Sequence, residues 1–93
     1  MNAEYKVPGG KLVASEVTVD GGMLSSVKIT GDFFMHPEES IVDLEGVLTG
    51  IRVDELEDAM DGFFEENQVS LFGISKDDIV KVIRMALEPM TQG

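Results

Sequence analysis

The stretch Pro8–Phe34, PGGKLVASEVTVDGGMLSSVKITGDFF, decides how the rest of the chain is read. Lys11 to Asp20 is rich in Val and Thr. Its odd positions Val13, Val17 and Val19 are apolar with Ser15 among them, and its even positions run Leu12, Ala14, Glu16, Thr18, Asp20. Imperfect alternation of this kind marks a half-buried strand. Asp20-Gly21-Gly22 supplies residues that tolerate positive φ, so a tight turn is expected there. From Met23 to Phe34 the strand pattern resumes. Met23, Val27, Ile29 and Phe33 share one face; Lys28, Thr30 and Asp32 share the other, with Leu24 and Phe34 at its ends. Gly31 interrupts this second strand, as a bulge or a close backbone approach would require.

Working outward, the 93 residues suit one domain over 1–93, with its core at about 6–88. A chain of this size buries roughly 60–65% of its unfolded surface, enough for one modest core. There are no cysteines, which excludes disulfides, thiolate metal sites and thiol redox chemistry. No apolar run approaches the ~20 residues of a membrane span, and Met1-Asn2-Ala3-Glu4 lacks the basic and apolar regions of a signal peptide. A soluble cytoplasmic protein is the expectation. The net charge is −11 and unevenly placed. Residues 1–34 hold four acids and three bases, whereas residues 35–93 hold 14 acids and four bases. Such a field repels phosphate backbones and anionic lipid, so nucleic acid and membrane surfaces are excluded as partners. The acidity reads as a solvated helical surface. The nearly neutral hairpin is then the expected docking side.

Three helical patterns follow. The first is expected to start at His36-Pro37, with proline at the first helical position and Glu38 and Glu39 at the positive end of the dipole. Ile41, Leu44 and Leu48 form its stripe, and Gly50 is placed to end it. The second is expected at Asp54, in a box-like pattern with Glu57. Leu56, Ala59, Met60 and Phe63 share one of its faces; Gly62 is a weak point, and Asn67-Gln68 end it. The linker Val69 to Gly73 is apolar enough to lie on the core. Ser75 and Asp78 make a capping box for the third helix, with Ile74 and Ile79 as its hydrophobic staple. Ile79, Val82, Ile83 and Ala86 form its inner face, Val80, Leu87 and Met90 widen it, and Pro89 is expected to stop it. The ends, Met1–Ala3 and Thr91–Gly93, are expected to fray. Hairpin followed by helices argues α+β, a small antiparallel hairpin-based sheet of 2–3 strands packed against three helices. Glu4 to Val7 is the candidate third strand. Val27, Ile29, Leu44, Leu48, Leu56, Phe63, Ile79 and Ile83 are the expected core.

Catalytic text is sparse. Pro8-Gly9-Gly10-Lys11 fails the G-x-x-x-x-G-K-[ST] pattern, since Leu12 follows the lysine. It reads as a flexible entry into the strand, or as glycines that let a partner approach while Lys11 reaches an anion or carboxylate. His36 is the only histidine, so with no cysteine it cannot build a zinc site without carboxylates. The acid pairs Glu38/Glu39, Glu65/Glu66 and Asp77/Asp78 are adjacent in sequence, and adjacent helical residues point apart. Asp54 to Asp61 has no EF-hand spacing. Phe33 and Phe34 must face opposite sides of a strand. One ring then enters the core, and the other needs a cover, either a local loop or a partner.

Pro8-Gly9-Gly10-Lys11-Leu12-Val13, the turn, and Val27-Lys28-Ile29-Thr30-Gly31-Asp32-Phe33-Phe34 resemble the C-terminal domain of lipoate–protein ligases. Pro37-Glu38-Glu39, a helix and Leu48-Thr49-Gly50 continue the resemblance, which covers about residues 6–88. It is most similar to the archaeal form, in which that domain is a separate small accessory subunit beside a larger catalytic one. The resemblance implies a non-catalytic subunit that forms a heterodimer and supports the activation step of protein lipoylation. It places ATP, a divalent metal and lipoate on the catalytic partner, where lipoyl-adenylate forms, and none of them on this chain. Lipoyl-acceptor proteins are then indirect partners. The residue reading agrees, because carboxylate attack on a phosphate needs cations near developing negative charge. The implied domain is also related in fold to sulfur-transfer and iron–sulfur scaffold domains, whose chemistry a cysteine-free chain cannot perform. No catalytic, cofactor or metal residue is expected here. The expected partner interface is Gly9, Gly10, Lys11, Phe33, Phe34 and His36. The alternative is an acidic protein-binding adaptor unrelated to acylation.

Overall fold

Gly21 and Gly22 form a two-residue turn with φ of 60° and 81°, and Asp20 pairs with Met23 across it. Two positive φ values suit the primed turns whose twist matches that of the flanking strands. In the computed structural model, which describes residues 1–91 and side chains through residue 88, this turn joins β2 (Leu12–Asp20) to β3 (Met23–Gly31). The expected third strand is present as β1 (Asn2–Lys6), antiparallel to β2, giving the order β1-β2-β3. It starts earlier than expected. The Met1 ammonium donates to Val17 O at 2.9 Å and Val17 N donates to Met1 O at 2.8 Å, so Met1–Ala3 are held in the sheet rather than frayed.

The alternation holds in β2, where Val13, Ser15 and Val17 are buried. In β3 it breaks. Thr18 pairs with Ser26 and Val19 with Leu24, which leaves Ser25 as an extra residue. Such a bulge reverses the side-chain phase. Leu24, expected on the polar face, is therefore fully buried, while Met23 is exposed. The strand also ends sooner than expected. After Gly31 the chain leaves the sheet, and β4 (Phe34–His36) pairs antiparallel with β5 (Ser70–Phe72) as a separate two-stranded ribbon. The expected apolar linker Val69–Gly73 is thus largely a strand.

Because Phe34–His36 is committed to the ribbon, the first helix begins later than Pro37. α1 spans Ser40–Leu48, preceded by a turn in which Ser40 N donates to Pro37 O; the His36–Pro37 peptide is cis. A 3-10 turn, Val53–Glu55, leads into α2 (Leu56–Glu66). The Asp54–Glu57 box does not form. Glu55 instead accepts from Arg52 N at 3.1 Å, because the chain enters through the 3-10 turn, and Glu57 ion-pairs with Arg84. Asn67 closes α2 as expected, its backbone N and Nδ2 both donating to Phe63 O. The Ser75 box does form. Asp78 Oδ2 accepts from Ser75 N at 2.8 Å, and Asp78 N donates to Ser75 Oγ at 3.3 Å. It starts α3, which spans Lys76–Thr91. Pro89 does not stop it. The helix runs on past it, without the ladder bond that a proline has no N–H to make. Of the expected frayed end Thr91–Gly93, Thr91 closes α3, and Gln92 and Gly93 lie outside the described residues.

α3 lies against β1 and β2, and α1 lies against β3 and α2. All eight expected core residues are buried, joined by Val13, Val17, Leu24, Met35, Met60, Ile74, Val82, Ala86 and Leu87. Ser15 and Ser40 are the buried polar residues among those described, and Ser15 Oγ donates to Val82 O at 2.9 Å. The outer face, with Glu4, Glu16, Lys28 and Thr30, is exposed. The architecture is α+β, three helices against a three-stranded antiparallel sheet, with a second, two-stranded sheet beside it.

Candidate docking site

The β4–β5 ribbon separates its residues by face. Met35 is buried opposite half-buried Leu71, while Phe34, His36, Ser70 and Phe72 are exposed. Phe34 stands directly opposite Phe72, and His36 opposite Ser70. Strand residues two apart share a face. The ribbon therefore carries two phenylalanines at directly paired positions, 68% and 57% exposed, with His36 and Ser70 as the next pair along.

The expected interface residues divide around it. Phe33, in the link between β3 and β4, is half-buried against the core, and Phe34, the first residue of β4, is exposed, so one ring lies in and one out. His36 lies on the ribbon's outer face. Lys11 N donates to Gly73 O at 3.1 Å, which ties the β1–β2 loop to the residue after Phe72. A Cβ on Gly10 would sit 2.6 Å from Gly73 O, and one on Gly73 would sit 2.5 Å from Lys11 Cγ. Those glycines thus serve a close approach within the chain, which seats the loop against the Phe34–Phe72 end of the ribbon. Gly9 and the Lys11 side chain remain exposed. Phe72 and Ser70 were missed by sequence reasoning. The only available signal was a phenylalanine in an otherwise unexplained apolar linker.

A second concavity lies between α2 and α3, lined by Val53, Val80, Met85 and Leu87 among others. Ion pairs connect the two helices at its sides. Lys76 Nζ bonds Asp61 Oδ1 at 2.6 Å, and Arg84 pairs with Glu57. The hydrogen bond that Lys76 donates to the Asp61 carboxylate is the main cause holding its ammonium above the ordinary pKa. Lys81 sits 4.3 Å from the centre of the Tyr5 ring. The cations of this groove are thus engaged by the chain's own acids and aromatic ring, and it offers no anion cradle. Among the described residues, no three His, Asp or Glu side chains converge as a metal site requires. Nor is any helix among them long and apolar enough to cross a membrane.

Fold and surface together define a small α+β module whose conspicuous feature is a pair of exposed phenylalanines on the β4–β5 ribbon. The family model for the bacterial lipoate protein ligase C-terminus matches residues 1–83, and the chain belongs to that family. Lipoate-protein ligase A subunit 2 of Thermoplasma acidophilum is 30% identical over 74 residues, covering 80% of this chain and 78% of that protein. A chain from the structural analysis of an archaeal lipoylation system, a bi-partite lipoate protein ligase and its E2 lipoyl domain from the same organism, matches with a TM-score of 0.81. It is 28% identical, and the match covers 88% of this chain and 91% of that one.

Proposed function

We propose that this chain is the non-catalytic subunit of a two-component lipoate–protein ligase, acting in the cytoplasm as a heterodimer with a catalytic subunit. The observation that carries this reading is similarity over most of both lengths to subunit 2 of such a ligase. ATP, a divalent metal and lipoate belong to the catalytic subunit. There the lipoate carboxylate attacks the α-phosphorus of ATP and expels pyrophosphate. An acceptor lysine Nζ then attacks the acyl carbon of the adenylate and releases AMP. This chain supports the first step. Its net charge of −11 suits it poorly to hold a triphosphate itself. It docks through the side that carries Gly9, Gly10, Lys11, Phe33, Phe34 and His36, and favours the partner conformation that holds ATP and lipoate in line. A docked subunit does this only by binding that conformation better than the idle one. A difference of ~3 kcal/mol raises a rare competent state roughly a hundredfold.

The test is an acylation assay with two arms. Given lipoate and ATP, the catalytic subunit is expected to be inactive alone and active once this chain is added. Given premade lipoyl-adenylate, it is expected to acylate the acceptor with or without this chain. Dependence in the second arm would move the role to acceptor binding or transfer. Full activity in the first arm without this chain would end the subunit reading.

A further inference from the structure

The Phe34–Phe72 pair has no use within the described fold. A two-stranded ribbon with three residues per strand is marginal by itself. Its inner face is anchored by Met35 and Leu71, yet its outer face leaves the paired Phe34 and Phe72 in solvent. Adjacent exposed aromatics mark contact surfaces, and aromatic residues seated in pockets dominate binding energy.

Charge indicates the occupant. The chain leaves the His36 end of the ribbon directly through Pro37-Glu38-Glu39. Glu38 and Glu39 are exposed, and the ion pairs formed among the described residues involve Asp54, Asp61 and Glu57 instead. A second copy of this chain on the ribbon would bring two acidic margins together, on molecules of net charge −11. Like-charge juxtaposition suppresses such a pairing, whereas opposite charge favours it.

We propose that Phe34 and Phe72 together anchor this chain in an apolar pocket of the ligase's catalytic subunit. The margin of that pocket carries Lys or Arg side chains facing Glu38 and Glu39. This rests on the two-subunit reading above, and it adds Phe72 and the chemistry of the partner surface.

The experiment titrates this chain into the ligase catalytic subunit of the same organism by calorimetry, with circular dichroism confirming that each variant is folded. Phe34→Ser and Phe72→Ser are each expected to weaken binding about thirtyfold, the scale of a buried aromatic anchor. Val42→Ser removes an equally exposed apolar side chain from α1 and is expected to change nothing. Glu38→Lys with Glu39→Lys is expected to weaken binding, and the wild-type affinity to fall as salt is raised. Hydroxyl-radical footprinting of the wild-type complex reads the same surface without substitution, and both rings are expected to be protected. Exposed rings in the complex, or wild-type affinity in the folded double variant Phe34→Ser/Phe72→Ser, would overturn the proposal while leaving the subunit reading intact. No binding by wild type would instead overturn the subunit reading, and this proposal with it. Self-association that the double variant abolishes, with heterologous binding unchanged, would make a second copy the occupant and also overturn it.

Discussion

Glu45 reaches from α1 to the open side of β3, where its Oε2 accepts the Ile29 N–H at 2.7 Å. An edge strand exposes unpaired backbone groups that invite pairing with other chains. Here the edge is closed piece by piece. Leu24 N donates to Ile51 O, Gly50 N donates to Leu24 O, and Glu45 takes the N–H further along. Glu45→Ala is expected to lower stability by about 1.5–3 kcal/mol, the range for a hydrogen bond to a charged group. Glu45→Gln keeps an acceptor oxygen and should lose less. Urea unfolding of the three proteins decides; equal midpoints would mean that water replaces the carboxylate without cost.

Ser15 offers a second polar probe, in the core rather than at the edge. Its Oγ donates to Val82 O at 2.9 Å and joins β2 to α3. Ser15→Ala removes the donor but leaves the Val82 carbonyl in its helical bond, so the expected loss is only ~1 kcal/mol. A loss above 3 kcal/mol in thermal unfolding would show that the hydroxyl also sets the packing of α3.

Glycine substitutions are expected to split in sign. Gly46 in α1 and Gly62 in α2 have open space where a Cβ would go, so alanine at either should stabilise by about 0.5–1 kcal/mol. At Gly31 φ is +150° and a Cβ would collide with the Leu12 carbonyl. Gly31→Ala should therefore destabilise and disturb the hairpin end. Melting temperatures of the three variants test this, and a stable Gly31→Ala would refute the close approach.

Core truncation should outweigh any surface change. Leu44 and Leu56 are fully buried, and alanine at either is expected to cost about 2–5 kcal/mol. Val42 is 64% exposed, so Val42→Ser should stay within about 0.5 kcal/mol. Denaturant titration giving comparable losses at Val42 and Leu44 would contradict the assigned faces of α1.

The exposed face of the ribbon was half legible in the sequence. Phe33-Phe34 read as consecutive strand residues with one ring outward, and Phe34 is the exposed one, although Phe33 lies in the link between β3 and β4. The role of Gly10 was open between a partner's approach and a local one, and only the position of Gly73 resolves it. Phe72 carried no periodic signal, since a strand of three residues is too short to show alternation. Its exposure follows from pairing with Phe34, 38 positions earlier in the chain.

What the sequence determined by itself was local. The Asp20-Gly21-Gly22 turn, the buried stripes of the three helices and the Ser75–Asp78 box arise from φ preference, periodicity and hydrogen bonds between near neighbours. Family membership was legible for a related reason, since the ordered series of turns and stripes survives in the text. The tertiary structure decided whatever depends on a distant partner. The bulge at Ser25 turns Leu24 inward, where the Ile51 and Gly50 backbone meets it. Pairing with Ser70–Phe72 holds Phe34–His36 as a strand and so delays the first helix to Ser40. Entry through the 3-10 turn places the Arg52–Glu55 box on that turn and leaves α2 without the Asp54–Glu57 box. Each choice lay between local options close in free energy, and long-range packing and pairing selected one.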